Sequence, residues 1–218
     1  MTALFESGTA DVGGTPPISI AAGVVTNNVD VPMEGKVKVR IPSMDREVWA
    51  RLTAPGAGSG TGLFYAPRVR DEVLVAFAAG DPRDAFLLGG LWNLGDRIPV
   101  TDPVTALTSR ILRSGMTPGT GHQIELDDLL QAVTITTSTG QKITIDPTKI
   151  ELTNLAGSVK VTLDNTTQSV NITAAKSITL EAPQVSIKGA QVEINGVAKT
   201  DVKSSGVCNV AAPLVKIN

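Results

Sequence analysis

His122 is the one histidine in the chain, so a serine-histidine-aspartate relay would have to be built on it. No Gly-x-Ser-x-Gly elbow accompanies it, and the simplest reading is a structural or solvent-facing side chain at a domain junction. Carboxylates are the next resource. Nine fall from Gly121 onward: Glu125, Asp127, Asp128, Asp146, Glu151, Asp164, Glu181, Glu193 and Asp201. A glycan-cleaving enzyme sets two carboxyl groups across the scissile bond, with aromatic platforms beside them, yet no Phe, Tyr or Trp occurs after Trp92. Asp127 and Asp128 are the closest pair, and neighbouring residues of a strand point to opposite faces. Eight lysines interleave with the nine acids, which reads as a charge-balanced outer wall.

The remaining motifs are equally quiet. GAGSGTG at 56–62 lacks the Lys-Ser/Thr ending of a phosphate loop and no helical pattern follows, so it reads as a barrel loop. Trp49 and Trp92 read as core or subunit-contact residues in strand pattern. Cys208, the only cysteine, excludes an intrachain disulfide and a cysteine-based zinc cluster within one chain, and reads as a small buried apolar residue. No cofactor or metal site is expected. From Ile18 to Gly95 eight basic residues balance eight acids, without the basic footprint of a nucleic-acid binder. The first residues, MTALFESGTADVGGTPP, carry no basic and apolar signal-peptide regions, and no apolar run reaches the ~18 to 20 residues of a membrane helix. A chain made in the cytoplasm without a signal peptide is the expectation.

Elements must now be found to carry these residues. Six of the seven aromatics lie between Trp49 and Trp92, leaving the rest of the chain to Val, Ile, Leu and Thr. Residues 1–17 read as an extended arm. From Ile18 short strands follow one another: ISIAAGVVTNN, GKVKVRIP, VWARLTAP, DEVLVAFAAG and AFLLGGLWN, each bounded by turn residues. In GKVKVRIP, Val37, Val39 and Ile41 alternate with Lys36, Lys38 and Arg40, so one face is buried. Five such strands over 18–95 predict an OB-type barrel. Residues 96–120 read as an irregular connector with a helical turn around Val104 to Leu112.

From Gly121 to the end, apolar pairs separated by one polar residue recur. They are Val133 and Ile135, Ile143 and Ile145, Ile150 and Leu152, Val159 and Val161, Val170 and Ile172, Ile178 and Leu180, Val185 and Ile187, Val192 and Ile194. Their first members step by 10, 7, 9, 11, 8, 7 and 7 residues, room for one short strand and a corner but not for a helical repeat. Asp146-Pro147, Ala182-Pro183, Gly189 and Asn195-Gly196 supply corners. A single-chain coil or an intertwined one would both fit the repeat. The absence of aromatics favours three chains sharing a narrow core, in which each chain alone buries almost nothing. The fold class expected is all-β: an N-terminal OB-fold barrel followed by an intertwined trimeric triple-stranded β-helix over 121–218, its core made of those sixteen residues.

The runs EGKVKVRIP and VWARLTAPGAGSGTGLFYAPRVRDEVLVAFAAGDPRDAFLLGGLWN resemble the OB domain of central spike proteins of contractile injection systems, the gpV-like phage baseplate spikes and the VgrG spikes of type VI secretion. GHQIELDD at 121–128 resembles the entry to their β-helix. The resemblance implies a non-enzymatic spike of a phage tail baseplate or extracellular injection system, a homotrimer assembled into the particle, docked on a hub and driven into a target cell envelope. VgrG proteins carry a large hub region ahead of the barrel where this chain has about seventeen residues, so a separate hub protein is expected. A tail-lysozyme domain does not fit the connector, and the His-x-His iron site of some spike tips is missing because His122 stands alone. Arg70 stands where the family commonly has glycine before the DEVLV strand. The C-terminal AAPLVKIN stops in strand pattern, from which a PAAR-type tip protein seated on Leu214, Val215, Lys216, Ile217 and Asn218 is expected. The competing readings are a trimeric β-helix glycan-degrading enzyme and, more distantly, an OB-type nucleic-acid binder.

Overall fold

A computed structural model describes residues 19–100, 102–115 and 120–216, so the arm expected over 1–17 lies outside the described residues. The chain divides into one compact unit ending at Ala175 and a second beginning at Lys176.

The first unit opens with strands β1 (Ser19–Asn27), β2 (Lys36–Ile41) and β3 (Arg46–Leu52), a small hairpin of β4 (Ala57–Gly58) and β5 (Thr61–Gly62), then β6 (Glu72–Phe77) and β7 (Ala85–Gly90). Strands β1, β2, β3, β7 and β6 close into a barrel in that order, antiparallel throughout except for the parallel β3–β7 pair. This is the five-stranded barrel expected from the alternation, and it is why GAGSGTG is a hairpin and not a phosphate loop. Val37, Val39 and Ile41 point inward with Val25, Val48, Ala50, Val73, Val75, Phe77, Ala85 and Leu87, all buried. Outside, Lys38 reaches Glu47 across the β2–β3 pair at 2.7 Å, and Arg51 lies 4.4 Å from the centre of the Phe86 ring. Gly23 has to be glycine, because a Cβ there would stand 2.5 Å from Val39 Cγ1 and 2.6 Å from Ile41 Cδ1.

Arg70 takes the left-handed φ of 82° that glycine adopts without cost. Its backbone N–H donates to the Val25 carbonyl at 2.8 Å, which holds the turn in place despite the side chain.

Neither tryptophan is in the barrel core, the first of the two expectations for them, and only Trp49 lies in a strand. Trp49 lies between the buried Val48 and Ala50 and so points away from the barrel interior. Trp92 follows the end of β7 and is exposed.

Within the segment expected as a connector, Asp102 caps a helix α1 (Pro103–Thr108) through the Thr105 N–H at 2.9 Å, with proline in its first turn. A strand β8 (Ser109–Arg113) follows at once. It is the first of seven in an antiparallel meander with β9 (Gln123–Asp127), β10 (Ala132–Thr136), β11 (Lys142–Ile145), β12 (Lys149–Thr153), β13 (Val159–Asp164) and β14 (Ser169–Ala174). The expectation of backbone pairing between chains is therefore corrected for this stretch: from Ser109 to Ala174 the ladder runs within one chain. Periodicity fixes which side chains share a face and is silent about whose strand lies alongside.

Alternate corners of a meander fall on the same edge. The three on one edge each begin with an aspartate. Asp127 accepts from the Leu130 N–H at 2.9 Å. Asp146 accepts from Thr148 and Lys149 at 2.8 and 3.0 Å. Asp164 accepts from Thr166 and Thr167 at 2.8 and 2.9 Å. These are the short side-chain to backbone bonds by which aspartate ends a strand and starts a turn.

From Lys176 to Lys216 the second unit has no strand pairing of its own and bends at 183, 190–191, 197–198, 205–206 and 213.

Candidate functional site

The cross-strand registers sort the seven-stranded sheet into two faces. On one, Leu112, Ile124, Ile135, Ile143, Leu152, Val161 and Ile172 form a continuous row, each beside the next. A second row runs Leu126, Val133, Ile145, Ile150, Leu163 and Val170, with Val159 beside Ala174 at the margin. All ten residues of the expected core that fall in this sheet lie on that face. Leu112, Ile124, Leu126 and Leu163 share it and were missed; the alternation Ile124-Glu125-Leu126 carries the same signal one strand earlier.

Every residue of this face is intermediate or exposed. Ile145, Leu152, Val159, Val170 and Ile172 are each more than two-fifths exposed. An uncovered apolar surface of this extent is the usual mark of a protein contact.

The opposite face is polar and more closely packed. Its rows carry Glu125, Thr134, Thr144, Glu151, Thr162 and Asn171, and Gln123, Thr136, Lys142, Thr153, Lys160 and Thr173. Thr162 is buried, as is Ser109 at the start of β8, and neither hydroxyl has a hydrogen-bond partner. Glu151 accepts from Lys149 and Lys160, each at 3.2 Å. Desolvation pushes its carboxyl up, but the two lysines together outweigh it and hold the group below the ordinary glutamate range.

The residues that could do chemistry are dispersed or committed. Ser114 Oγ accepts from the His122 backbone N–H at 3.1 Å, and the imidazole Nδ1 lies 3.4 Å from the Ser138 N–H, so the serine and the ring do not form a relay. Glu125 and Asp127 share the polar face and line an open groove of about 440 Å³ with Thr134, Thr136 and Lys142. Asp127 is held by its turn, as above, and no aromatic residue lines that groove. Among the described residues no three histidine, cysteine or carboxylate side chains cluster as metal ligands, and no helix is long and apolar enough to cross a membrane.

In the second unit Ile178, Leu180, Val185, Ile187, Val192 and Ile194 are all exposed. So is Cys208, against the expectation of a buried thiol, because no other part of the unit folds over it. Of the expected tip-contact residues, Leu214, Val215 and Lys216 are exposed, and Ile217 and Asn218 lie outside the described residues.

Comparison with known proteins bears on the barrel. Residues 21–92, from within β1 to just past β7, match the family model of the Type VI secretion system/phage-baseplate injector OB domain. The type VI secretion system spike protein VgrG1a of Pseudomonas aeruginosa is 26% identical over 124 residues, 52% of this chain and 19% of the relative. The spike protein VgrG3 of Vibrio cholerae serotype O1 is 30% identical over 114 residues, 49% of this chain and 11% of the relative. The actin cross-linking toxin VgrG1 from the same species is 26% identical over 121 residues, 52% of this chain and 11% of the toxin. The chain thus spans less than a fifth of the length of these curated relatives. Over its barrel the chain is thus similar to the injector OB domain of type VI secretion systems and phage baseplates, and it is gpV- and VgrG-like.

Proposed function

We propose that this protein is the structural, non-enzymatic central spike of a contractile injection particle and works as a homotrimer. In this reading the barrel, 18–95, docks on a separate hub protein at the tube end. Residues 96–120 connect it to a β-helix needle over 121–218, whose pairing begins as early as Ser109. The segment Leu214 to Asn218 carries a PAAR-type tip protein, and the assembled particle drives the needle through a target cell envelope.

The observation that carries the reading is the inverted sheet: thirteen aliphatic side chains form two rows on a face left open to solvent, while the polar face packs more tightly. A sheet buries its apolar side against another layer, and a full apolar side chain gains roughly 1.5–3 kcal/mol by that burial. The face is one repeated surface, so its natural cover is the same face on two further copies. The extended chain from Lys176 to Lys216 supports the same conclusion independently. It has no strand partner among the described residues, and backbone N–H and C=O groups beside a row of valines and isoleucines need one. The relatives are spike proteins by name, which supports the particle context.

A shaft of this kind needs no active site. It needs side-to-side pairing that resists fraying when load is applied along it, and interlocked copies that come apart only together, which makes its resistance kinetic as well as thermodynamic. Two readouts test the proposal on the purified chain. A three-chain band should survive SDS without boiling, and backbone amides between 178 and 194 should exchange slowly with deuterium. A single-chain band with immediate exchange of those amides contradicts it.

A further inference from the structure

The second unit keeps time along the chain. Its bends start at 183, 190, 197, 205 and 213, so the first two turns are seven residues long and the next two are eight. The side chain two past a bend is Val185 after 183, Val192 after 190, Val207 after 205 and Val215 after 213. Within the sevens the environment repeats closely: Ile178, Val185 and Val192 are 56, 52 and 53% exposed, and Leu180, Ile187 and Ile194 are 71, 68 and 72%. One turn breaks the series. Two past the bend at 197 stands Lys199, and Asp201 follows in the second position of the pair. Lys199 and Lys203 both reach Asp201, at 2.6 and 3.2 Å, so the charges form a compact group where the two preceding turns have aliphatic pairs and the following one has Val207 with Asn209.

Identical seven-residue turns carry a hazard. A copy of this chain shifted by one turn against two others keeps every aliphatic pair opposite an aliphatic pair, and register is weakly specified wherever the pattern repeats. A change of repeat length removes that degeneracy, because a seven-residue turn cannot be laid flush on an eight-residue one. A single polar layer among apolar ones acts in the same direction, specifying alignment at some expense of stability.

We propose that the turn Val197–Ser204 is the register key by which three copies of this chain align: it is where seven-residue turns give way to eight, and its Lys199–Asp201–Lys203 group has its match only in the same turn of the other copies. The proposal rests on the three-copy reading above. Shifted by one turn, a copy would set its charged group, with one lysine in excess over Asp201, against the apolar Val192 and Ile194 of its neighbours.

Cys208 supplies the test, being the only thiol and exposed. A nitroxide placed on it in the full chain should give one narrow inter-label distance by pulsed electron resonance, since three aligned copies form one equilateral triangle. Replacing 197–204 by the seven residues of the preceding turn, Ala-Gln-Val-Glu-Ile-Asn-Gly, should leave a trimer but add a second, longer distance from shifted copies. The substitution K199V/D201I keeps the eight-residue length and removes the charges. It should broaden the distribution while raising the temperature at which the assembly survives SDS. A single narrow distance in both variants overturns the proposal. If the seven-residue variant yields no soluble trimer, K199V/D201I decides alone: a broadened distribution supports the key and an unchanged one refutes it. The absence of any inter-label distance in the parent chain would instead overturn the three-copy reading on which the key depends.

Discussion

Truncating Ile172 to alanine distinguishes a face that is covered from one that is not. Ile172 lies on β14 in the first apolar row and is 56% exposed in the chain by itself. If that exposure persists in the working protein, folding hides less than half of the side chain. At roughly 1.5–3 kcal/mol for complete burial, its removal then costs about 1 kcal/mol per chain. Enclosed by two further copies, the same truncation opens a cavity and costs about 2–5 kcal/mol per chain. Three copies unfold in one event, so the loss is about 6–15 kcal/mol per assembly. Guanidinium denaturation followed by far-ultraviolet circular dichroism, repeated over a wide range of protein concentrations, reads both the size of the effect and its dependence on association. A large fall in midpoint that deepens on dilution is expected. A loss of about 1 kcal/mol that is the same at every concentration would refute the reasoning.

Other consequences are local. Gly23→Ala places a Cβ against Val39 and Ile41 and should destabilise the barrel by about 1–3 kcal/mol, read as a lower melting temperature with no change in chain mass. Arg70→Gly releases a side chain from a left-handed backbone and should stabilise the barrel by up to about 1 kcal/mol, seen in the same melt. Hydrogen bonds from the Arg83 side chain, and then from its backbone, hold the Asp81 carboxyl down to about 2, so its stabilising contribution is complete above the ordinary aspartate range and is lost as pH falls toward 2. Carboxyl NMR titration should show the Asp81 midpoint rising toward the ordinary value in Arg83→Ala. Asp146, bonded first by the Thr148 hydroxyl, and Asp164, bonded first by the Thr167 N–H, are also depressed, and their corners should loosen in the same direction on acidification. Faster amide exchange at Thr148 and Thr166 at low pH, corrected for the intrinsic rate, would show it; unchanged protection would argue that the turns hold without their carboxylates.

The barrel was legible because its strands are half-buried and alternate cleanly: Val37, Val39 and Ile41 against Lys36, Lys38 and Arg40 leave one choice of inward face. Trp92 was misplaced because AFLLGGLWN reads as one run, whereas the strand ends at Gly90, two residues before it. Strand β8 escaped notice for a related reason. SRILR places arginines on both faces of a five-residue strand, and a helix abuts it, so neither alternation nor turn residues announce it. Leu163 was overlooked because Val159 and Val161 already make a pair and β13 is long enough to carry a third inward residue. The pairing partner of each strand was the least accessible feature. Alternation gives identical signals for a neighbour in the same chain and in another, and here the ladder within the chain stops at Ala174 while the alternation continues.

The absolute mass of the purified full chain, measured by light scattering as it leaves a size-exclusion column, tests the central claim most directly. The chain is 22.6 kDa. Three times that mass, held on dilution, is the result expected of a spike whose apolar face is covered by its own copies. A stable particle of one chain mass, with its sheet intact by circular dichroism, would contradict the shared needle and leave the exposed rows of isoleucine and valine to some other partner.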